Sequence, residues 1–336
     1  MKLKSLLKKL VFGLTLSQEY ICLGLEGTKG IFRSYLTFPN SPDHLEITHH
    51  HLFLGYRPLI IGIWQPNLDP LHHKLSTSTE ACLSLCYPEF KLTNHWGNYP
   101  VDSRSVAHLE LELVYKQHLD NHTLFIYQGK KGKHHLLNPF HQLTNQVLNH
   151  FRIKRIGNID LPGNLYDQVR IAYSVPRNIS LITIFNSKDR TMNLFPTDLH
   201  GPLAAGHYIG SLRHTGKACQ QVDKFQKIVI SQIHIDQFQQ VYAMGRNHMQ
   251  DLKPENNFEL DSIRSEKFDF PLPSGVLRYR EMEQIDAYDI HIHRLHFYRI
   301  INQKQLKRPG NSLAHIHQYY AEWRQRKGLE TQLKLR

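Results

Sequence analysis

Cysteine is scarce. The 336 residues hold four, Cys22, Cys82, Cys86 and Cys219. That is too few for the disulfide framework of a small secreted domain, and a reducing, cytoplasmic setting is expected. Cys82 and Cys86 lack the two-residue spacing of a zinc knuckle or redox pair. Long apolar runs are also missing, so no segment is expected to span a bilayer. The N-terminal KSLLKKLVFGLTL sets basic residues ahead of an apolar run, but the run is short and no small-x-small cleavage site follows. A surface helix feeding a strand is expected there, and no membrane partner. No GxxxxGK[ST] and no GxGxxG after a strand occur, which disfavours P-loop and Rossmann chemistry. The lack of GxSxG and HExxH removes the nucleophile elbow and the zincin helix. No residue is thereby marked as catalytic.

What the chain does have is charge of one sign, 41 Lys and Arg against 29 Asp and Glu, for a net +12. Much of the excess sits in the terminal MKLKSLLKKL and RQRKGLETQLKLR. No zinc-finger, RNA-recognition or arginine-rich signature accompanies it. Nucleic acid is therefore disfavoured against a solvated basic surface.

Histidine is abundant, with 24 residues. Strand alternation places His291 and His293 on one face and His296 on the other. No paired Cys/His spacing accompanies them, so a structural or solvent role is expected and no metal is assigned, with His291 and His293 together as the best exception. Cys219 falls in an expected helix and Cys82 and Cys86 in an apolar run, where thiols are ordinarily structural.

Short β-branched and aromatic runs bounded by turn residues dominate the chain, which predicts a mainly β protein with a few helices. From about 20 to 137 we read mostly strands. NPFHQLTNQVLNHF (138–151) reads as a helix with Phe140, Leu143, Val147 and Leu148 on one stripe. KRIGNIDLPGN (154–164) marks a boundary. A second strand series starts at YDQVRIAYSV and runs through ISLITIF, FQKIVISQI, QFQQVYAM and HIHRLHFYRII, with LRHTGKACQQVDKF (212–225) as an intervening helix. A helical tail is expected from Asn311, capped by Asn311 or Ser312, with Leu313, Ile316, Tyr320 and Trp323 as its stripe. The domains expected are thus 1–155, β-rich and of unassigned role; 156–305; and a C-terminal helical tail, 306–336. Parallel ordering in the two halves raises a tandem repeat of low identity as one alternative, and two unrelated β domains as the other.

Phosphate can be held by turn amides, hydroxyls and a few cations. The region Thr191–Lys217 has these parts: Thr191, Asn193, Thr197, Ser211, Arg213, Thr215 and Lys217. Around it the order of features carries a family resemblance. The strand SVPRNISLITIF is followed by the turn NSKDR, then TMNLFPTDLHGPL, then SLRHTGKACQQV and the strand FQKIVISQI. PLPSGVLRYREMEQ and DAYDIHIHRLHFYRI come last. Over about residues 165–302 this resembles the flavin-reductase-like family of FMN-binding split barrels. The resemblance implies an FMN-binding split β-barrel, with NAD(P)H as co-substrate, hydride transfer to flavin, and a homodimer. It places Thr191, Asn193, Phe195, Pro196, Thr197 and Asp198 along the flavin, and Ser211, Arg213, Thr215 and Lys217 on its phosphate side. Replacing Asn193 and Thr197 by alanine is then expected to weaken FMN binding without unfolding the domain. Two departures stand out. The Asp-His pair is spread as Asp289-Ile290-His291, and the usual proline-proline ending is Asp198-Leu-His-Gly-Pro202. HLDNHTLFIY gives a fainter echo in the first half, as a degenerate barrel would. The alternative function is a non-catalytic split-barrel binding protein for flavin or haem, the latter suggested by HIHRLH.

Overall fold

The computed structural model describes residues 2–13, 20–25, 32–41, 44–68, 72–86, 94–96, 99–101, 105–152, 161–306, 310–328 and 333–334. The part of the expected boundary before residue 161 lies outside them. The chain is mainly β, in antiparallel sheets. It divides into two compact units. One comprises residues 1–20, 29–175 and 316–330; the other comprises 21–28, 176–315 and 331–336.

The first unit opens with helix α1 (Lys2–Phe12). Its sheet contains β1 (Arg33–Thr37), β2 (His44–Glu46), β3 (His51–Tyr56), β4 (Leu59–Pro66), β5 (Glu80–Cys86), β6 (Ala107–Leu119) and β7 (His122–His134). A short helix, α2 (His72–Thr77), joins β4 to β5. Helices α3 (Pro139–Arg152) and α4 (Leu165–Ala172) follow. The spatial order is β2-β1-β5-β6-β7-β4-β3.

The second unit contains β8 (Ser180–Asn186), β9 (Thr191–Thr197), β10 (His200–Pro202), β11 (His207–Arg213), β12 (Lys227–Ile233), β13 (Val276–Ile290) and β14 (His293–Gln305). Helix α5 (Lys217–Phe225) joins β11 to β12. Here the order is β10-β11-β14-β13-β12-β8-β9, with a two-residue strand, Lys253–Pro254, on the β9 edge. Adding seven to each strand number of the first unit gives this same order read from the other edge. The two units share one seven-strand topology, with a helix inserted at the same point.

Alternation along these strands builds a core on each side of the second sheet. Leu181, Met192, Leu194, Val229 and Tyr279 join one cluster. Ile182, Ile184, Phe195, Ile228, Ile230 and Tyr298 join the other, together with Ala218, Cys219 and Val222 of α5. Helix α5 thus covers the face to which Phe195 points.

The helix expected over 212–225 forms only from Lys217, since Leu212 and Arg213 end β11, and three further segments differ from the sequence-based expectation. YDQVRIAYSV, expected as a strand, begins as helix α4, all but its first residue buried. QFQQVYAM, also expected as a strand, forms helix α6 (Phe238–Ala243). Its Phe238, Val241 and Tyr242 pack on the first cluster at i, i+3 and i+4, the helical period. The tail expected as helix from Asn311 starts as a strand, β15 (Ser312–His317), and only Gln318–Arg326 is helical, as α7. The cap is His317, whose ring accepts from the Tyr319 amide. Pairing with Arg177–Asn178 supplies β15 with bonds that local sequence does not encode. The domain limits differ as well, since β15 up to His315 belongs to the second unit and α7 to the first.

Candidate functional site

TMNLFPTDLHGPL is β9 followed by β10. Residues 191–197 pair along their whole length with β8, from Thr191–Asn186 to Thr197–Ser180. The segment is a sheet strand, not the loop its breakers suggest. Thr191, Asn193, Phe195 and Thr197 share one face. Phe195 is fully enclosed in the α5 cluster. The Asn193 amide donates to Gln221 Oε1 of α5 at 2.7 Å and to the Asn247 carbonyl at 3.1 Å. Asn247 in turn donates to the Leu194 carbonyl at 2.7 Å. Asn193 therefore ties β9 to α5 and to the 3-10 turn Met244–Met249. Asn193→Ala would leave buried acceptors on Gln221 and Asn247 without their donor, at a cost of about 1–3 kcal/mol. Chemical denaturation should show that loss. An unchanged midpoint would mean that the amide contributes nothing to the fold.

Pro196, Thr197 and Asp198 stand at the far end of β9. The neutral ring of His248 donates from Nε2 to the Pro196 carbonyl at 2.7 Å and lies against Phe195, with ring centroids 4.8 Å apart. Burial is the main force lowering the His248 pKa from the usual histidine value. The same 3-10 turn backs onto the start of α5. A Cβ at Gly216 would stand 3.2 Å from the Arg213 carbonyl and 3.5 Å from that of His248. The His248 contact would be an ordinary one, and only the Arg213 carbonyl would have to give by a few tenths of an ångström. Asp198 accepts from His315 Nδ1 at 3.3 Å and lies 3.6 Å from Arg177.

Ser211 and Arg213 close β11. Register sets Arg213 opposite His293, at the start of β14. Ser211 Oγ and His293 Nδ1 are 3.2 Å apart, both buried. Burial, aided by Arg213, His214 and His291, pushes His293 down to about 4 and keeps it neutral at physiological pH. His214 Nε2 donates to the His291 carbonyl at 2.9 Å, which fixes the β13–β14 turn against the end of β11. His291 occupies that turn with φ 51°, outside either strand. It therefore does not share a strand face with His293, contrary to the alternation reading. Arg213 and Thr215 are exposed, and Lys217 pairs with Asp251 at 2.5 Å. Gly216 is the N-cap of α5 and, as glycine, brings no side chain of its own to cap the first turn. An uncapped helix start beside two cations and a hydroxyl is a donor set for a phosphate.

The structure thus gathers Pro196 and Asp198 with Arg213, Gly216 and Lys217 through His248. It does not gather Thr191, which begins β9 roughly 20 Å away at about 3.3 Å per residue. A depression of about 590 Å³ lies near that other end, lined by Asp189, Arg190, Pro254, Glu255, Asn256, Phe258 and Leu260. None of the residues assigned to the flavin lines it. No local motif in the sequence marks His248, Asn247 or Gln221 as site residues.

Cys219 lies one turn into α5, with its sulfur 3.6 Å from His296 Nε2 and 3.9 Å from Asp223. Arg294 binds Asp289 through two nitrogens at 2.6 and 2.7 Å, and Asp223 at 2.7 Å. Burial pushes the Cys219 thiol up to about 12, which keeps it protonated. Thiolate chemistry is excluded at that value.

The equivalent corner of the first unit is furnished differently. Register sets His122 of β7 opposite Pro66 of β4, as His293 stands opposite Arg213. Thr123 Oγ1 there donates to Asn67 at 2.7 Å and accepts from His72 and His118, each at 3.1 Å. That hydroxyl is saturated by its own unit, and proline stands where the second unit has arginine.

No family model matches the sequence, and no curated protein matches it. Solved structures do. The NADH:FAD oxidoreductase SgcE6 of Streptomyces globisporus C-1027 matches 47% of this chain and 93% of its own, at 12% identity and a TM-score of 0.39. An FMN-binding protein from Thermus thermophilus matches 49% of this chain and 94% of its own, at 15% identity and a TM-score of 0.39. A nitrilotriacetate monooxygenase component B homolog from Mycobacterium thermoresistibile matches 52% and 89%, at 13% identity and a TM-score of 0.40. Over about half its length the chain is structurally similar to flavin reductases and FMN-binding split-barrel proteins.

Proposed function

We propose that the second unit binds FMN and that the protein is an oxidoreductase of flavin-reductase type, passing hydride from NAD(P)H to flavin. The observation that carries this is the uncapped start of α5, with Arg213, Thr215 and Lys217 beside it and the end of β9 held close by His248. Donors of this kind fit a phosphomonoester dianion. Arg213, Thr215, Lys217 and the first-turn amides of α5 would hold the phosphate. Pro196, Thr197 and Asp198, at the far end of β9, would border the ring, while Asn193 and Phe195 hold β9 to α5. When bound, the flavin supplies the two-electron chemistry. Ser211 and neutral His293 fix the β11–β14 corner without adding charge beside the cations. We assign no side chain as a catalytic acid or base. The neighbours' names, an NADH:FAD oxidoreductase and an FMN-binding protein among them, agree with this reading.

Titrating FMN fluorescence with the full-length protein tests the binding step. Saturable quenching is expected at micromolar protein, and an unquenched, linear signal would refute it. Oxidation of NADH or NADPH by the FMN-loaded protein then separates a reductase from a non-catalytic flavin binder. Homodimerisation and a cytoplasmic setting belong to the same proposal, and sedimentation tests the first.

A further inference from the structure

In the first unit, α1 and α3 leave an apolar surface in solvent. On α1, Leu3, Leu6, Leu7 and Leu10 are each more than half exposed and Val11 is 42% exposed. On α3, Phe140, Leu143 and Val147 are at least half exposed. The stripe that the 3.6 period predicts for 138–151 therefore faces water in three of its four members, Leu148 being half-buried. The two helices adjoin, since a Cβ at Gly13 would stand 2.7 Å from His141 Nδ1 of α3. Eight large apolar side chains brought together in this way exceed the scattered exposure normal on a soluble surface.

Charge decides what can cover this surface. Helix α1, KLKSLLKKLVF, has four lysines and no acidic residue, and α3, PFHQLTNQVLNHFR, has no acidic residue either. On a helical wheel, positions 3, 6, 7, 10 and 11 form one stripe, with lysine positions 2 and 9 along one border and 4 and 8 along the other. A second copy of this face would set lysine-rich, acid-free helices against each other. An anionic lipid leaflet takes the apolar stripe into its acyl boundary and the flanking lysines at its head groups. No helix among the described residues is long and apolar enough to cross a membrane, so the element lies in the surface plane. We propose that α1 and α3 form a docking face for anionic membrane surfaces. The sequence alone pointed to no membrane partner, because it does not show that both stripes stay uncovered.

Co-sedimentation of the full-length protein with vesicles of phosphatidylcholine containing 30% phosphatidylserine tests this, with pure phosphatidylcholine vesicles as the reference. Partitioning is expected to be stronger on the anionic vesicles and to fall as salt is raised. Lys8→Gln with Lys9→Gln should lower it by roughly tenfold or more. Leu6→Glu with Leu10→Glu should abolish it. These leucines are solvent-exposed, so circular dichroism and thermal melting should match the parent protein. Equal partitioning on the two vesicle types, or binding that survives Leu6→Glu with Leu10→Glu, would overturn the proposal. So would a dimer in light scattering that this double variant converts to monomer, which would make the face a contact between copies.

Discussion

Replacing Arg213 and Lys217 together by alanine is expected to weaken FMN binding by roughly 10²–10⁴-fold, two charge-assisted contacts at about 1.5–3 kcal/mol each. The side chains flank the start of α5, where first-turn amides and the helix dipole add to the same anion site. Both changes sit at the surface. The change breaks the Lys217–Asp251 ion pair, whose partners are 43% and 80% exposed, and such pairs are worth at most about 1 kcal/mol. Folding should therefore survive. Fluorescence titration with FMN and with riboflavin separates the possible sources of any loss. Riboflavin lacks the phosphate, so its binding should change little. Equal loss for both ligands would place the phosphate elsewhere, and undiminished FMN affinity would remove α5 from the site altogether.

Asn193→Ala is the informative contrast. Thr191–Thr197 was readable as an unusual mixture of polar, apolar and breaker residues, and the polar members suggested a ligand. In the structure, Asn193 faces α5 and spends its amide on Gln221 and Asn247. The mixture has a simpler origin in part: one face of a strand is covered by a helix whose own polar residues need partners. Sequence cannot separate these cases, because Gln221 and Asn247 are 28 and 54 residues away. A variant that loses stability while its folded fraction keeps FMN affinity would assign Asn193 to the framework.

Other features were legible for definite physical reasons. Strand alternation and turn residues are local, so the two strand series and most of the helix at 138–151 could be read directly. The shared strand order was visible only as parallel ordering of segments. Two units can keep one topology while differing at the same corner, as Pro66 and Arg213 do, and then identity carries little signal. Segments whose conformation depends on a distant partner were misread. Ser312–His317 is a strand because of Arg177–Asn178, and residues 166–172 are a helix enclosed on nearly every side. That helix buries Asp167, Gln168 and Arg170 beside Val169 and Ile171, so its surroundings and not an exposed polar face hold it.

Lowering the pH from 6.5 to 4 should remove several kcal/mol of stability, without loss between pH 8 and 6.5. Burial pushes His51, His200 and His293 down to about 4. The unfolded chain titrates near 6.5. Between these values the unfolded state binds more protons, so stability rises with pH through the window. It is complete above the unfolded value and lost as pH falls through the folded one. Each imidazole contributes roughly 3 kcal/mol on this count. His200 shows the cause. Its Nδ1 meets the Tyr208 hydroxyl at 2.7 Å and its Nε2 meets the Asn178 carbonyl at 3.1 Å, so a neutral ring satisfies both. Asp198 favours the charged ring and Arg280 opposes it, but neither outweighs burial. Asp289 and Glu112 are held below their ordinary values by Arg294 and by Lys130, so their contribution falls away only below about pH 4. His200 and His293 lie in the second unit and His51 in the first. Acid should therefore unfold the second unit first. Urea denaturation at half-unit pH steps, followed by FMN fluorescence and by total helix and strand signal, reads both. A profile flat to pH 4.5 would show that these imidazoles are not held neutral by the fold, and FMN release that lags the loss of secondary structure would show that the second unit does not unfold first.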